Sequence, residues 1–244
     1  LLNDQFQLAG VDSDFNSWGY KTNFELDNQI GKFMIEHCDA KYFKNKMVLE
    51  GGSIHVDGRG TLLTTEQCLL NDNRNPGLSK DQIERNLRDF FGIKKIIWLK
   101  YGIDEGTDGH VDNVACFTKP RTIMAMTCMD KQDPYYDRLN ENLETLRLAT
   151  DCSGKPIEII ELEMSYQRLS ADHDEPTSYI NFYIANAAII VPIFGDSKAD
   201  ENACSLIQEA FPERMVVPVN GSDIFLGGGG VHCITQQQPR SVND

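Results

Sequence analysis

Positive charge is scarce in this sequence. Among its 244 residues, 23 Lys and Arg stand against 37 Asp and Glu, a net charge of −14. That balance argues against a nucleic-acid partner and against binding to anionic membranes, both of which draw on clustered basic side chains. It is compatible with a cationic ligand. No run of about 18 apolar residues occurs, so no membrane-spanning helix is expected. The seven cysteines, at 38, 68, 116, 128, 152, 204 and 233, include no Cys-x-x-Cys pair, which argues against a structural zinc site. Their odd count and loose spacing point to reduced thiols in a reducing, cytoplasmic compartment. The opening Leu1-Leu2-Asn3 does not resemble a secretory leader. It also lacks an initiator Met and lies inside a patterned segment, so the expectation is a chain that begins within a larger protein. No Pro/Ser-rich linker, charge block or low-complexity run divides it, and residues 1–244 read as one domain.

What the sequence does contain is a repeat. Four segments share a layout of small or acidic residues, a short alternating run and then an apolar strand. They are Glu50–Asp57, Gly106–Asn113, Thr177–Tyr183 and Gly227–Cys233. Strands such as Gly60–Thr64, Thr122–Thr127 and Ala188–Phe194 follow the first three. Amphipathic helices come next, near Lys80–Phe91, Tyr135–Ala149 and Ala199–Phe211, and then β-rich stretches at Lys95–Leu99, Pro156–Leu162 and Met215–Val219. Ser79 and Asp133-Pro134 mark two helix starts. Leu139, Leu143, Leu146 and Leu148 recur at near-helical spacing. The unit is strand–strand–helix–strand, repeated about three times with a partial unit at each end. Arranged radially, such units would bring their glycine-rich turns together.

Those turns carry the candidate chemistry. Cys233 follows Gly227–Gly230, glycines that let backbone approach a ligand closely, and is the best nucleophile candidate. The other six cysteines read as small buried hydrophobes. His110 is the best acid/base candidate: on a strand, His110 and Asp112 would share one face. His-x-Asp spacing, repeated at His55 and Asp57, also permits a divalent ion, ranked below acid/base work. Glu50–Asp57 could line the same site, or Glu50 could simply pin a loop. His232 is expected on the opposite face from Cys233, in a structural role. His37 and His173 stand in no such context. Gly227–Gly230 is not a phosphate loop, because no Lys-Ser/Thr follows.

At these residues the sequence resembles the agmatine deiminases, guanidine-modifying enzymes with a five-bladed α/β-propeller (pentein) fold. The matching segments are Gly10-Val-Asp-Ser-Asp-Phe-Asn-Ser-Trp-Gly19, Leu49-Glu-Gly-Gly-Ser-Ile-His-Val-Asp-Gly58 and Leu69-Leu-Asn-Asp-Asn-Arg-Asn-Pro76. They continue with Asp108-Gly-His-Val-Asp-Asn113, Tyr179-Ile-Asn-Phe-Tyr-Ile-Ala-Asn186 and Gly229-Gly-Val-His-Cys-Ile-Thr-Gln-Gln-Gln-Pro239. The resemblance implies Cys233 as nucleophile, His110 as acid/base and Asp112 as the carboxylate gripping a guanidinium. Glu50 and the backbone of Gly229 and Gly230 complete the expected substrate contacts. It further implies hydrolysis of agmatine to N-carbamoylputrescine and ammonia in putrescine biosynthesis, through a covalent S-alkylthiouronium, with no metal or cofactor. A homodimer is common in the family, though no interface is legible in these residues.

Two departures stand out. The family's second guanidinium-binding Asp, in a Trp-x-Arg-Asp-x-Gly-Pro motif, does not occur in this chain, and Ser13 stands where the family often has Trp. The expectation is a propeller incomplete at its N-terminus, with impaired turnover by this exact chain. A peptidylarginine or free-arginine deiminase on the same scaffold, and a non-catalytic truncated relative, are the alternatives.

Overall fold

The structure, a computed structural model, describes residues 1–3, 5–169 and 177–239; His173 lies outside them. Four small sheets follow one another along the chain. The first unit is β1 (Ala9–Asp14), the short α1 (Ser17–Tyr20), α2 (Ile30–His37) and β2 (Lys41–Val48), with the strands parallel. The second is β3 (Ile54–Val56), β4 (Thr61–Thr65), the short α3 (Glu66–Leu69), α4 (Lys80–Phe91) and β5 (Lys95–Leu99). The third is β6 (Ala115–Lys119), β7 (Thr122–Thr127), α5 (Tyr136–Leu148) and β8 (Glu158–Glu163). The fourth is β9 (Tyr183–Ile184), β10 (Ala188–Ile193), α6 (Ser197–Ala210) and β11 (Met215–Asn220), after which α7 (Ser222–Leu226) leads to the last turn.

In the three complete units the middle strand pairs antiparallel with the strand before it and parallel with the strand after the helix. The expected strand–strand–helix–strand unit is therefore present three times, with a partial unit at the N-terminal end. At the C-terminal end the correction is that Gly227–Cys233 forms turns and no strand. The described residues make four sheets and no closed five-bladed ring.

The middle strands of the second and third units are covered on both sides. Every residue of β4 and of β7 is buried, which is why these segments read as unbroken β-branched and apolar runs. One apolar cluster runs from Leu63 to Phe211 through the second, third and fourth units, and a smaller one gathers Met47, Leu62, Ile83 and Leu87. Neighbouring units are tied by buried Asn142 on α5. Its Oδ1 accepts from Lys100 N and Tyr101 N, and its Nδ2 donates to Tyr101 O at 2.7 Å. By contrast α2 buries no residue and leaves Ile30, Phe33 and Met34 exposed.

Helix ends follow their local chemistry. Ser79 opens α4 with a reciprocal capping box to Gln82, and Gly92, at φ +66°, closes it in the left-handed conformation. At α5 the Asp133 carboxylate accepts from Tyr135 N, and the helix starts one residue later than expected. Asp196 caps α6, so that helix begins at Ser197, ahead of Ala199. Of the four leucines, Leu139, Leu143 and Leu146 are buried, while Leu148 is 84% exposed. Two residues past Leu146 is 200° around the helix, on the opposite face. Leu146→Ala is expected to cost about 2–5 kcal/mol and Leu148→Ala no more than about 0.5 kcal/mol, read as the difference in denaturant midpoints.

Candidate active site

The segment entering the first strand of each complete unit, together with the turn after α7, converges on one place. The second unit contributes Glu50 and the 3₁₀ turn Gly51–Ser53. The third contributes His110 and the 3₁₀ turn Val111–Asn113, and the fourth contributes Asn181. The Gly-rich turn after α7 brings in His232 and Cys233. His110 is therefore not on a strand, and the alternation argument for His110 and Asp112 does not apply. The two side chains nevertheless meet beside Gly52, where a methyl group would lie 2.6 Å from His110 Nδ1 and 2.8 Å from Asp112 Oδ2. Only a glycine leaves room for both.

The loop before His110 is built to turn sharply. Asp108 and Gly109 are both left-handed, at φ +58° and +86°. The Gly109 backbone lies so close to Gly102 that a methyl on Gly102 would overlap it. Asp104 closes the turn by accepting from Gly106 N and from the Thr107 hydroxyl, whose oxygen in turn accepts from His110 N.

Under this loop lies Arg74, whose side chain is fully buried. Its Nε donates to Glu50 Oε1 at 2.6 Å, its Nη1 to Asp108 Oδ2 and Asn73 Oδ1, and its Nη2 to Thr107 O. Glu50 thus does pin a loop, and it also faces the site. Its second oxygen, Oε2, stands 4.0 Å from His110 Nε2, and both atoms are buried without a hydrogen-bond partner.

Asp112 is nearly fully buried. Its Oδ2 accepts from His232 Nδ1 at 2.8 Å and lies 3.6 Å from Cys233 Sγ, while its Oδ1 has no partner. Gln237 Nε2 meets the far nitrogen of His232 at 2.9 Å. Cys233 is an exposed residue whose thiol turns inward, against Asp112 and against Asn181 Nδ2 at 3.4 Å. Desolvation of the thiol, then the Asp112 carboxylate, push its pKa up to about 12. A methyl on Gly229 would touch Cys233 Cβ at 3.1 Å, and one on Gly230 would overlap Asn181. A small cleft is lined by Asp112, His232, Ile180 and Phe182.

Glu50, His110, Asp112, Gly229, Gly230 and Cys233 are therefore brought together. His55 and Asp57 do not form a metal pair. His55 Nδ1 accepts from Phe117 N, and desolvation, with His232 nearby, lowers its pKa to about 4. Asp57 Oδ1 accepts from Arg59 N and Thr61 N in a turn. His232 corrects the expectation of an opposite face, because a turn has no strand alternation. Asn181 and Arg74 lie inside the motifs quoted above, but no spacing singled them out, since the partners that place them in the site, Glu50 for Arg74 and Asn113 and His232 for Asn181, are 24, 68 and 51 residues away.

Comparison with known proteins is in keeping with this geometry. The chain matches the family model of the Porphyromonas-type peptidyl-arginine deiminases over residues 2–239. It is 43% identical to the agmatine deiminase of Medicago truncatula, over 96% of this chain and 70% of the relative. It is 41% identical to that of Stutzerimonas stutzeri, over 98% of this chain and 72% of the relative. The structure of the agmatine deiminase of Enterococcus faecalis superposes with a TM-score of 0.93 at 35% identity, over 99% of this chain and 72% of that one. DDAH from Pseudomonas aeruginosa, at 14% identity and a TM-score of 0.50, shares the fold alone.

The contact between Asp112 and Cys233 has a measurable consequence. Asp112→Asn removes the negative charge that disfavours the thiolate, so the Cys233 pKa falls and its thiolate fraction rises. Alkylation of Cys233 by iodoacetamide at mildly alkaline pH, followed by peptide mass spectrometry, is expected to run severalfold faster in Asp112→Asn than in the parent chain. An equal or slower rate would show that Asp112 does not govern the thiol.

Proposed function

The chain belongs to the Porphyromonas-type peptidyl-arginine deiminase family, among its agmatine deiminases, and we propose that it hydrolyses agmatine to N-carbamoylputrescine and ammonia. The observation that carries the proposal is the pairing of an inward-facing thiol with a carboxylate that still has a free acceptor. Cys233 Sγ lies 3.6 Å from Asp112 Oδ2, and Asp112 Oδ1 is buried with no partner.

A guanidinium is planar, cationic and rich in N–H donors, and it suits such a carboxylate edge. Asp112 holds it, and Glu50 Oε2 offers a second buried acceptor. Desolvation, and after it the Asp112 charge, keep the thiol protonated in the free site, and the bound cation offsets the second of these. Cys233 then passes its proton to His110 and attacks the guanidinium carbon. His110 returns a proton to a departing nitrogen, and ammonia leaves. The S-alkylthiouronium that remains is hydrolysed by a water deprotonated by His110, releasing the ureido product and the thiolate. The backbone of Gly229 and Gly230 lets the Cys233 turn pack close to Asn181 and the substrate.

The wider setting belongs to the same proposal. One catalytic domain is supported by the core that continues from Leu63 to Phe211. A cytoplasmic location is supported by seven cysteines of which none is paired. No helix among the described residues is long and apolar enough to cross a membrane. A homodimer follows from the family resemblance. The chemistry as written draws on no cofactor.

The test is product analysis by mass spectrometry with agmatine, arginine and a peptidyl-arginine as separate substrates. The parent chain is expected to form carbamoylputrescine at an impaired rate. His110→Gln should slow it by about 10²–10⁴-fold, and Cys233→Ala should form none. Product from arginine or the peptide in place of agmatine would move the substrate to the alternative. No product from any of the three would overturn the enzymatic reading for this chain.

A further inference from the structure

Cys68 plays no part in that chemistry, yet it lies against it. It sits on α3, fully buried. Its thiol sulfur, one carboxylate oxygen of Glu50 and one ring nitrogen of His110 all lie within 4.8 Å of one another. Two of the facing atoms, Glu50 Oε2 and His110 Nε2, are buried, stand 4.0 Å apart and have no hydrogen-bond partner. A small buried hydrophobe is the ordinary role of such a cysteine. Here, though, its sulfur adds a third donor atom to two buried, unpartnered polar atoms that the proposed reaction also uses.

We propose that Glu50, Cys68 and His110 form a binding site for a soft divalent cation, Zn²⁺, and that its occupation inhibits the enzyme. The donor set is one sulfur, one nitrogen and one oxygen. A thiolate disfavours Mg²⁺ and Ca²⁺, which take oxygen ligands, and three protein ligands with an open fourth position suit zinc. Zinc bonds of about 2.0–2.3 Å in a tetrahedron place ligand atoms about 3.3–3.8 Å apart, so the 4.0 Å pair needs only a small contraction. Arg74 already fixes the Glu50 carboxylate through Oε1 and leaves Oε2 pointing at the site. Outer contacts of this kind orient ligands before the ion arrives. Binding is a simple exchange: the Cys68 thiol releases its proton to solvent, the sulfur bonds the ion, and water takes the fourth position. No electron is transferred.

The inhibitory consequence rests on the function proposed above, because the ion takes the nitrogen lone pair with which His110 handles protons. The binding itself does not. A competing site exists in principle at Cys233, with Asp112 and His232 beside it, and the experiment separates the two.

The measurement is Zn²⁺ titration of the 244-residue chain against a chromophoric chelator, for the parent, Cys233→Ala and Cys68→Ala. One ion is expected to bind the parent and Cys233→Ala alike. Cys68→Ala should weaken binding by about 100-fold or more, since even losing a contact behind a ligand costs 10–100-fold. With agmatine as substrate, Zn²⁺ should block the parent reversibly, and Cys68→Ala should keep its basal activity and resist the ion. Unchanged affinity in Cys68→Ala, or lost affinity in Cys233→Ala, overturns the proposal. A chain inactive on agmatine still reports on zinc, so failure of the two readings can be told apart. Should Cys68→Ala not fold, Cys68→Ser keeps the shape without a thiolate. Co²⁺ in Cys233→Ala should then give a thiolate charge-transfer band that Cys233→Ala/Cys68→Ser lacks, and a band in both overturns the assignment.

Discussion

One buried amide holds the site together. Asn181 accepts from the backbone N–H of His232 twice over, through its side-chain Oδ1 at 2.9 Å and its own carbonyl at 3.1 Å. Its Nδ2 donates to Asn113 Oδ1 at 2.9 Å and reaches Cys233 Sγ. The third unit, the fourth unit and the last turn of the chain are thereby joined through a single side chain with no exposure to water. Each bond contributes about 1 kcal/mol net, but leaving any of these buried groups unpaired costs more than making the bond gains. Gly230 is the steric counterpart. A methyl there would lie 2.1 Å from Asn181 Oδ1, an atom already held by its partners and unable to yield.

Around this joint the charges are arranged unevenly. Arg74 neutralises part of the acidic cluster, with buried bonds to Glu50 and Thr107 and partly buried ones to Asp108 and Asn73. Asp108 is further held by Lys21 and Asn73. Among the described residues Asp112 receives no comparable cation; its Oδ2 is paired with the imidazole of His232. Burying a carboxylate without a full counter-charge is costly, and that cost is recovered when a cation arrives. Desolvation first, and this carboxylate second, raise the Cys233 thiol in the free site, and in the proposed reaction the guanidinium would cancel the carboxylate's share. The overall charge of −14 is compatible with such a ligand.

Much of the architecture was legible in the chain itself. Apolar runs, period-3.6 patterns and a capping Ser79 place β4, α4, β7, α5 and β10 within a residue or two. These are local properties, set by side-chain spacing and backbone propensity, and they survive without knowledge of the fold. Where local rules competed, they failed in definable ways. Leu148 had plausible spacing but the wrong angular phase, and His232 was assigned a face by strand alternation in a segment that turns.

The sequence by itself determined the repeat unit, the glycine-rich turns and the identity of Cys233, His110 and Asp112 as candidates, because each is written in contiguous residues. Only the tertiary structure decided which of them meet. Glu50 lies 24 residues from Arg74, Asn181 lies 68 from Asn113, and Cys233 lies 121 from Asp112. Those contacts come from units packing side by side, so that equivalent turns share one end. No spacing along the chain encodes them. The state of the Cys233 thiol was likewise decided in three dimensions, because a pKa depends on which charges and how much water surround the atom after folding.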